Sequence, residues 1–514
     1  MSDSVKLLDE ITTLKRLLVN RDETISQLLA EIKMLRRNRY GRSSERLDTA
    51  IEQLRLALAE GEVPVTAPPA TSTEPKLPAR ETAKLPNVVP LRRRTRALPD
   101  HLPRKTVVHD PASCNCPECG ATLRKLGEDV SEMLNWVPGY LEVIRHVRPK
   151  LSCGHCATVV QEPAPSRPIE RGMATPSLLA QVVVSKYADH MPLYRQSGIF
   201  RRAGVDLERS LLADWVGQAG RLVAPLSDAL GRYVLAADKV HADDTPLPVL
   251  DPGRGKTKTA RLWTYVRDDR PAGCLDPPAV WYRYSPDRRG IHPQTHLAGF
   301  QGILQADGYS GFNYLYADGT VVEAACMAHA RRKFFELYEN DKSPIAEEAL
   351  HRIAQLYQIE RGIHGELPPI RQAVRRDHAK PILADLHHWL SGLLQQVSAK
   401  SPLAKAIHYS LVRWQALTRY CDDGRIEIDN NPAERSIRAL VLGRKNYLFA
   451  GSDAGGESAA NIYSLINTAL LNKVEPYAYL CRVFEVIADH KINRIDELLP
   501  WNLDLTETCE RKVA

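Results

Sequence analysis

The sequence predicts a multidomain α+β chain, and three observations predict it. A 4,3-spaced apolar seam opens the chain, two Cys-x2-Cys knuckles follow a proline-rich stretch, and a run of strands after residue 237 is interrupted by a long helical segment. At 514 residues the chain is too long for one ordinary domain, and at 44% hydrophobic it can bury sizeable cores. The charge balance is mildly basic, +7 at pH 7. Clustering says more than the total. Residues 36–46 hold five arginines against Glu45, and residues 92–105 hold Arg92, Arg93, Arg94, Arg96, Arg104 and Lys105 against Asp100. Such clusters suit a polyanion, most simply nucleic acid, although a solvated tail explains many single charge runs. No apolar stretch is long enough to span a membrane and no signal-peptide core is present, which gives the expectation of a cytoplasmic protein, nucleoid-associated when on DNA. Its cysteines are then expected to be reduced or to hold metal.

Residues 1–60 read as a coiled coil and a basic helix. Leu7, Ile11, Leu14, Leu18, Arg21, Ile25, Leu28, Ile32 and Leu35 keep the heptad seam with one polar interruption, so a homodimer or higher oligomer is expected. Residues 61–105 are rich in proline and lack Phe, Trp and Tyr, as in a linker with a basic end. Residues 106–165 carry "CNCPECG" and "LSCGHCA". Four thiolates, Cys116, Cys119, Cys153 and Cys156, in two knuckles suit a closed tetrahedral structural zinc site, with "YLEVIRHVRPKL" between them as a strand. Cys114 and His155 are spare ligands. Residues 166–236 read as helices: Thr175 and Pro176 cap the first, and a later helix ends near Gly204 before another starts near Ser210. That layout fits a helix-turn-helix offering Arg201 and Arg202 to DNA phosphates, and it fits plain core helices equally well.

From 237 the periodicity changes to strands: "KVHADDTPLPVL", "RLWTYVRD", "AVWYRYSP", a connector or short helix, "GILQADGYSG", "VVEAAC", then the helix "AHARRKFFELYE". The order β-β-β-α-β-β-α is that of an RNase H-like sheet, where the middle of the first strand lies beside the C-terminal end of the fourth. Asp243 and Asp307 occupy those places. Two carboxylates so placed repel unless a divalent cation lies between them, and Mg²⁺ or Mn²⁺ with oxygen ligands would complete a site for displacement at phosphorus. Asp244 competes with Asp243, but strand alternation sends the two to opposite faces, and Asp243 is the choice.

"RIEIDNNPAERSIRALVLGRKN", residues 425–446, supplies the third acid. Glu434 has two readings. It can cap its own helix at N3 behind Asn431 and Pro432 and pair with Arg438, or it can join Asp243 and Asp307 as a metal ligand. The whole constellation favours the second, with Arg435, Arg438, Arg444 and Lys445 then serving a polyanionic substrate. The expected catalytic fold runs through 237–342 and 425–472, with a helical insertion at 343–424 and a helical tail at 473–514. Trp389 and Trp414 in the insertion read as core or as stacking platforms. Cys326 and His329 have ligand spacing but read as packing at a helix start.

"HADDTP", "LQADGYSGF", "CMAHARRKFFE", the segment beginning "DNNPAERSIRALVLGRKN" and the tail "EPYAYLCRVFEVIADHKINRIDELLPWN" resemble the DDE transposases of the insertion-sequence-66 family, TnpC type, nearly end to end. In that family the catalytic acids lie in motifs matched here by Asp243, Asp307 and Glu434. Asp244 stands where the family usually has glutamate, and Met327 where it often has tryptophan. The resemblance implies an enzyme that cuts DNA at the terminal inverted repeats of its own element and joins the 3′-hydroxyls to target DNA, with small accessory proteins from the same element. Two rival readings remain. A Mg²⁺-dependent nuclease without strand transfer would use the same acids. A binding-only, zinc-containing DNA-binding regulator would keep the coiled coil and zinc module but be expected to lose an acid, whereas this chain keeps three.

Overall fold

The computed structural model describes residues 98–505 except 112, 114, 116–120, 138, 154 and 157. The heptad seam, the arginine-rich patch at 36–46 and most of the linker lie outside these residues.

Alternating burial along the first strands shows a sheet with one wet face. β1 (Arg104–Val108), β2 (Leu123–Val137), β3 (Tyr140–Cys153) and β4 (Val159–Gln161) make a four-stranded sheet in which β3 pairs with all the others. The register runs β2 antiparallel to β3 from Leu123↔Cys153 to Val137↔Tyr140, so the β3 strand expected from sequence is one arm of a long hairpin. The β2 arm is unexpected: charges such as Arg124, Lys125, Glu128 and Asp129 hide its alternation, and its cross-strand partner supplies the order instead.

Four helices follow: α1 (Pro176–Tyr187), α2 (Leu193–Arg202), α3 (Arg209–Leu222) and α4 (Ala224–Leu235). Thr175 caps α1 by accepting from the Leu178 N–H at 3.3 Å, with Pro176 in the first turn as expected. α2 and α3 are joined through Gly204 at φ +83°, but Leu212, Trp215, Val216 and Ala219 turn α3 into the core, against α1 and later helices.

The second sheet holds β5 (Lys239–Asp251), β6 (Lys256–Arg267), β7 (Ala279–Ser285), β8 (Gly302–Gln305) and β9 (Val321–Ala324), with α5 (Ile291–His296) between β7 and β8. Its order is β7-β6-β5-β8-β9. The first three strands are antiparallel, and β5, β8 and β9 are parallel. β8 is shorter than its sequence suggests: pairing stops at Gln305 and Asp307 sits two residues beyond.

α6 (Met327–Asp341) leads into α7 (Pro344–Gly362), α8 (Pro368–Val374), α9 (Lys380–Leu394), α10 (Pro402–Val412) and α11 (Trp414–Thr418), which share a core of their own built on Ile353, Leu356, Leu383, Leu386, Leu390 and Ile407. Trp389 and Trp414 are half-buried against it, Trp389 beneath Arg352 at 4.7 Å. The chain returns through a turn-rich 422–430, where the β-like "RIEI" forms no strand. α12 (Asn431–Tyr447) then packs on β5 and β6, α13 (Asp453–Leu471) on β7 and α3, and α14 (Pro476–Val486) on α1. No helix among the described residues is long and apolar enough to cross a membrane.

Candidate active site

Strand register brings the first two acids together. His241 on β5 pairs with Gln305 on β8 in parallel, and Asp243 and Asp307 each lie two residues further along. Parallel neighbours are about 4.8 Å apart, so the two carboxylates start from adjacent backbone positions. Asp307 leaves the strand into a turn in which its carboxylate accepts from the Tyr309 N–H at 3.0 Å. Gly308 makes this turn at φ +83°, and a Cβ there would meet the Arg413 guanidinium at 2.4 Å. The insertion clamps the same turn: Tyr409 donates to the Asp307 carbonyl at 3.0 Å and Arg413 to the Gly308 carbonyl at 2.8 Å.

Electrostatics report the same proximity. Burial, then the Asp307 charge, push the Asp243 carboxyl up to about 8, with Asp244 and Glu434 adding and the Asp244 N–H opposing. Asp244 is used elsewhere. Its carboxylate, 2% exposed, accepts from Arg261 at 2.9 Å and Arg288 at 2.8 Å, which leaves Asp243 as the acid facing Asp307.

Glu434 arrives on α12, and its capping reading does not hold. The helix N-cap is Asn430, one residue earlier than expected, and Glu434 lies past the capping-box position. It pairs not with Arg438 but across to α6, with Arg332 at 3.7 Å, and His329 Nδ1 lies 3.6 Å from it. Both Glu434 Oε1 and His329 Nδ1 are buried without a hydrogen-bond partner. Burial lowers the His329 pKa, against the opposing pull of Glu434. Cys326, His329 and Glu434 bring ligand atoms within 4.8 Å of one another. The Cys326–His329 spacing, expected to serve packing alone, thus places His329 at the site's edge. Cys326 does pack, accepting from the Asn430 N–H at 3.2 Å.

Asn430, passed over in the sequence because Asn431 reads as the cap, is fully buried. It donates to the Ala242 carbonyl at 2.8 Å and meets His241 Nδ1 at 3.1 Å, tying the start of α12 to β5 one residue from Asp243. Glu427 anchors the segment from below. Arg371 donates to both its oxygens at 3.0 Å, and the fully buried Lys239 lies 3.8 Å away. The acid of "RIEI" is therefore a strut, and the only sequence signal was its unusual company of apolar neighbours.

Asp243, Asp307 and Glu434 do not themselves draw their oxygens within 4.8 Å of one another. Carboxylate oxygens, one carboxyl held above its usual range and one oxygen with no partner are the kinds of donor a hard divalent cation takes. Among the predicted cations, Arg435, Arg438 and Lys445 are exposed on α12. Arg444 donates instead to the Pro246 carbonyl and is half-buried. Arg201 and Arg202 end α2 in solvent, Arg201 paired with Asp206 at 3.4 Å. Of the four zinc candidates, Cys116 and Cys119 lie outside the described residues. Cys153 is buried at the end of β3, and Cys156 is exposed three residues on. His155 is exposed and Cys114 is outside the described residues.

Family models match most of the chain. One described as "Transposase IS66 family" covers residues 171–458, "zinc-finger binding domain of transposase IS66" covers 113–157, "IS66 C-terminal element" covers 464–501, and "Transposase C of IS166 homeodomain" covers 27–107. The zinc-finger match supports a structural zinc in this module. Among curated relatives, the uncharacterized proteins y4hP, y4jD and y4qI of Sinorhizobium fredii are 41%, 39% and 38% identical to this chain. The alignments span 93%, 93% and 96% of it and 88%, 94% and 92% of the respective relatives.

Proposed function

The chain belongs to the IS66 family of transposases, and from that premise we propose that Asp243, Asp307 and Glu434 form a metal-dependent site that cleaves DNA at element ends and transfers the 3′-hydroxyl to target DNA. Family membership carries a transposase role with DNA as the partner; the chemistry and its residues are our reading. The observation that carries it is the matched position of Asp243 on β5 and Asp307 just past the end of the parallel β8, with Glu434 on α12 near enough to help raise the Asp243 carboxyl. The strand order β7-β6-β5-β8-β9, with only the first three antiparallel, supports an RNase H-like reading of this sheet.

Mg²⁺ or Mn²⁺ bound by the three carboxylates would supply charge stabilisation at the phosphate and activation of the attacking oxygen. The protein's own part is positioning. Asn430 and the Glu427–Arg371 pair hold α12 against β5, Tyr409 and Arg413 hold the Asp307 turn, and the pairing of Asp244 with two arginines keeps a fourth carboxylate out of the cluster. Arg435, Arg438 and Lys445 on the exposed side of α12 would neutralise phosphates without reading bases.

We further read Cys116, Cys119, Cys153 and Cys156 as the zinc ligands, and the N-terminal seam as a homodimer contact that pairs two catalytic sites. A binding partner among the element's accessory proteins is the other use of that seam. The deciding experiment incubates the full chain and Mg²⁺ with labelled duplexes carrying the element's end and a target. Joined product supports the proposal. Cleavage without joining favours the nuclease, and binding without either favours the regulator.

A further inference from the structure

A second concavity opens on the same face of the sheet. Asp243, Thr245 and Leu247 alternate onto one side of β5. Thr245 and Leu247 line a cavity of about 770 Å³ bounded by α1, α2, α3 and the C-terminal half of α12. At about 3.3 Å per residue, its floor begins roughly 7 Å from Asp243. Its charge is one-sided. Lys186, Arg209, Arg221 and Arg444 line it against the single acid Asp214, which already accepts from Gln218 at 2.6 Å. Among the described residues no carboxylate lies within ion-pair reach of Lys186, Arg209 or Arg221. Lys186 is half-buried, its ammonium 4.0 Å from the Tyr447 ring centre, and burial without a counter-charge brings its pKa down to about 8. Unpaired buried charge is costly, so an anion entering here gains more than it would at a solvated arginine.

The walls are aromatic and apolar. Tyr194 is 56% exposed at one lip and Phe449 44% exposed at the other, next to Leu448, which the chain holds at φ +44°. A planar group can stack at either lip, with phosphate oxygens on Arg209 and Arg221.

We propose that this cavity takes a nucleotide of the DNA strand leading into the three-acid site, its base extruded against Tyr194 and Phe449 and its phosphate held by Arg209, Arg221 and Lys186. Resting on the transposase reading, it adds a subsite that holds the strand unpaired beside the cutting point. It also gives Arg444 a role: bonded to the Pro246 carbonyl, it shapes the cavity wall, not the outer phosphate track.

The test uses the full chain without added divalent metal and a short single-stranded oligonucleotide of mixed sequence carrying 2-aminopurine. Wild type should bind with a change in 2-aminopurine emission. Arg221→Gln combined with Tyr194→Ala, both exposed positions that leave the fold intact, should bind roughly tenfold more weakly and lose the emission change. Lys186→Met, which keeps the buried volume, should do the same if its melting point is retained. Arg361→Gln, an exposed cation on α7, should match wild type. If the Arg221/Tyr194 variant binds with wild-type affinity and emission change, the cavity is not the subsite, while the transposase reading stands. If wild type binds no oligonucleotide at low salt, the DNA reading itself falls and this proposal with it.

Discussion

Replacing Asp243 with asparagine should kill activity and stabilise the metal-free protein. The carboxyl is pushed up to about 8 by burial and by Asp307, against about 4 in an unfolded chain. Between those values the folded state binds a proton that the unfolded state does not. Stability is therefore greatest below about pH 4 and falls as pH rises toward 8. At pH 7 the gap is about three pKa units at 1.36 kcal/mol each, close to 4 kcal/mol. Local relaxation reduces this, so about 2–4 kcal/mol is expected. Asparagine keeps the shape, removes the charge and recovers most of that energy, a rise in melting temperature of about 2–5 °C for a unit of roughly 400 residues. At pH 5 the gain should shrink to about 1 kcal/mol. Mg²⁺ should raise the melting temperature of wild type, because a cation removes the same repulsion, and should leave Asp243→Asn nearly unmoved. Calorimetry at pH 5 and pH 7.5, zinc-replete, with and without Mg²⁺, reads all of this, and a strand-transfer assay reads the loss of activity. A variant no more stable than wild type at pH 7.5 without metal, or one that retains transfer, would refute the assignment of Asp243 to a repelling carboxylate cluster.

Glu434→Gln tests the same site without removing a buried side chain: DNA joining should drop at least a hundredfold with folding retained, and near-normal joining would remove Glu434 from the metal-ligand set. Glu427→Ala removes the bidentate partner of the buried Arg371, leaving it Glu360 at 3.8 Å, while Lys239 keeps Asp269 at 3.1 Å, and should cost about 3 kcal/mol by denaturant titration. Burial pushes the Glu427 carboxyl up, but Lys239 and Arg371 outweigh it and hold it below the usual range. Its contribution is thus present above about pH 4.5 and lost as pH falls through the folded value, so wild type should show an acid transition that Glu427→Ala lacks. Gly308→Ala meets Arg413 and a left-handed backbone, so a loss of about 1–2 kcal/mol with a larger fall in turnover is expected, read by melting and joining assays together. Zinc content, measured by metal analysis, should fall to background in Cys116→Ser/Cys153→Ser, and an unchanged content would overturn that ligand set.

Local chemistry is what the sequence alone could determine. Thr175–Pro176 opens α1, strand-forming runs bounded by turn-rich spacers mark β5, β6 and β7, and the motif acids stand where short-range patterning exposes them. Each depends on a few neighbours, so a linear reading suffices. That Asp243 and Asp244 point to opposite faces was also legible, because alternation is a property of one strand. Tertiary structure decided what depends on distant partners. β2 is a strand because β3 pairs along its whole length, despite its charges. Glu434 faces α6 and not its own helix end, because Asn430 is drawn into the sheet by Ala242 and His241. His329 reaches the site through the crossing of α6 and α12, elements separated by the whole insertion. Arg444, one of four similar cations in the same run, is turned to a carbonyl by the packing of α12 on β5. A sequence states which groups are available; only the folded chain sets which of them are desolvated together, and desolvation is what turns an ordinary carboxylate or arginine into part of a site.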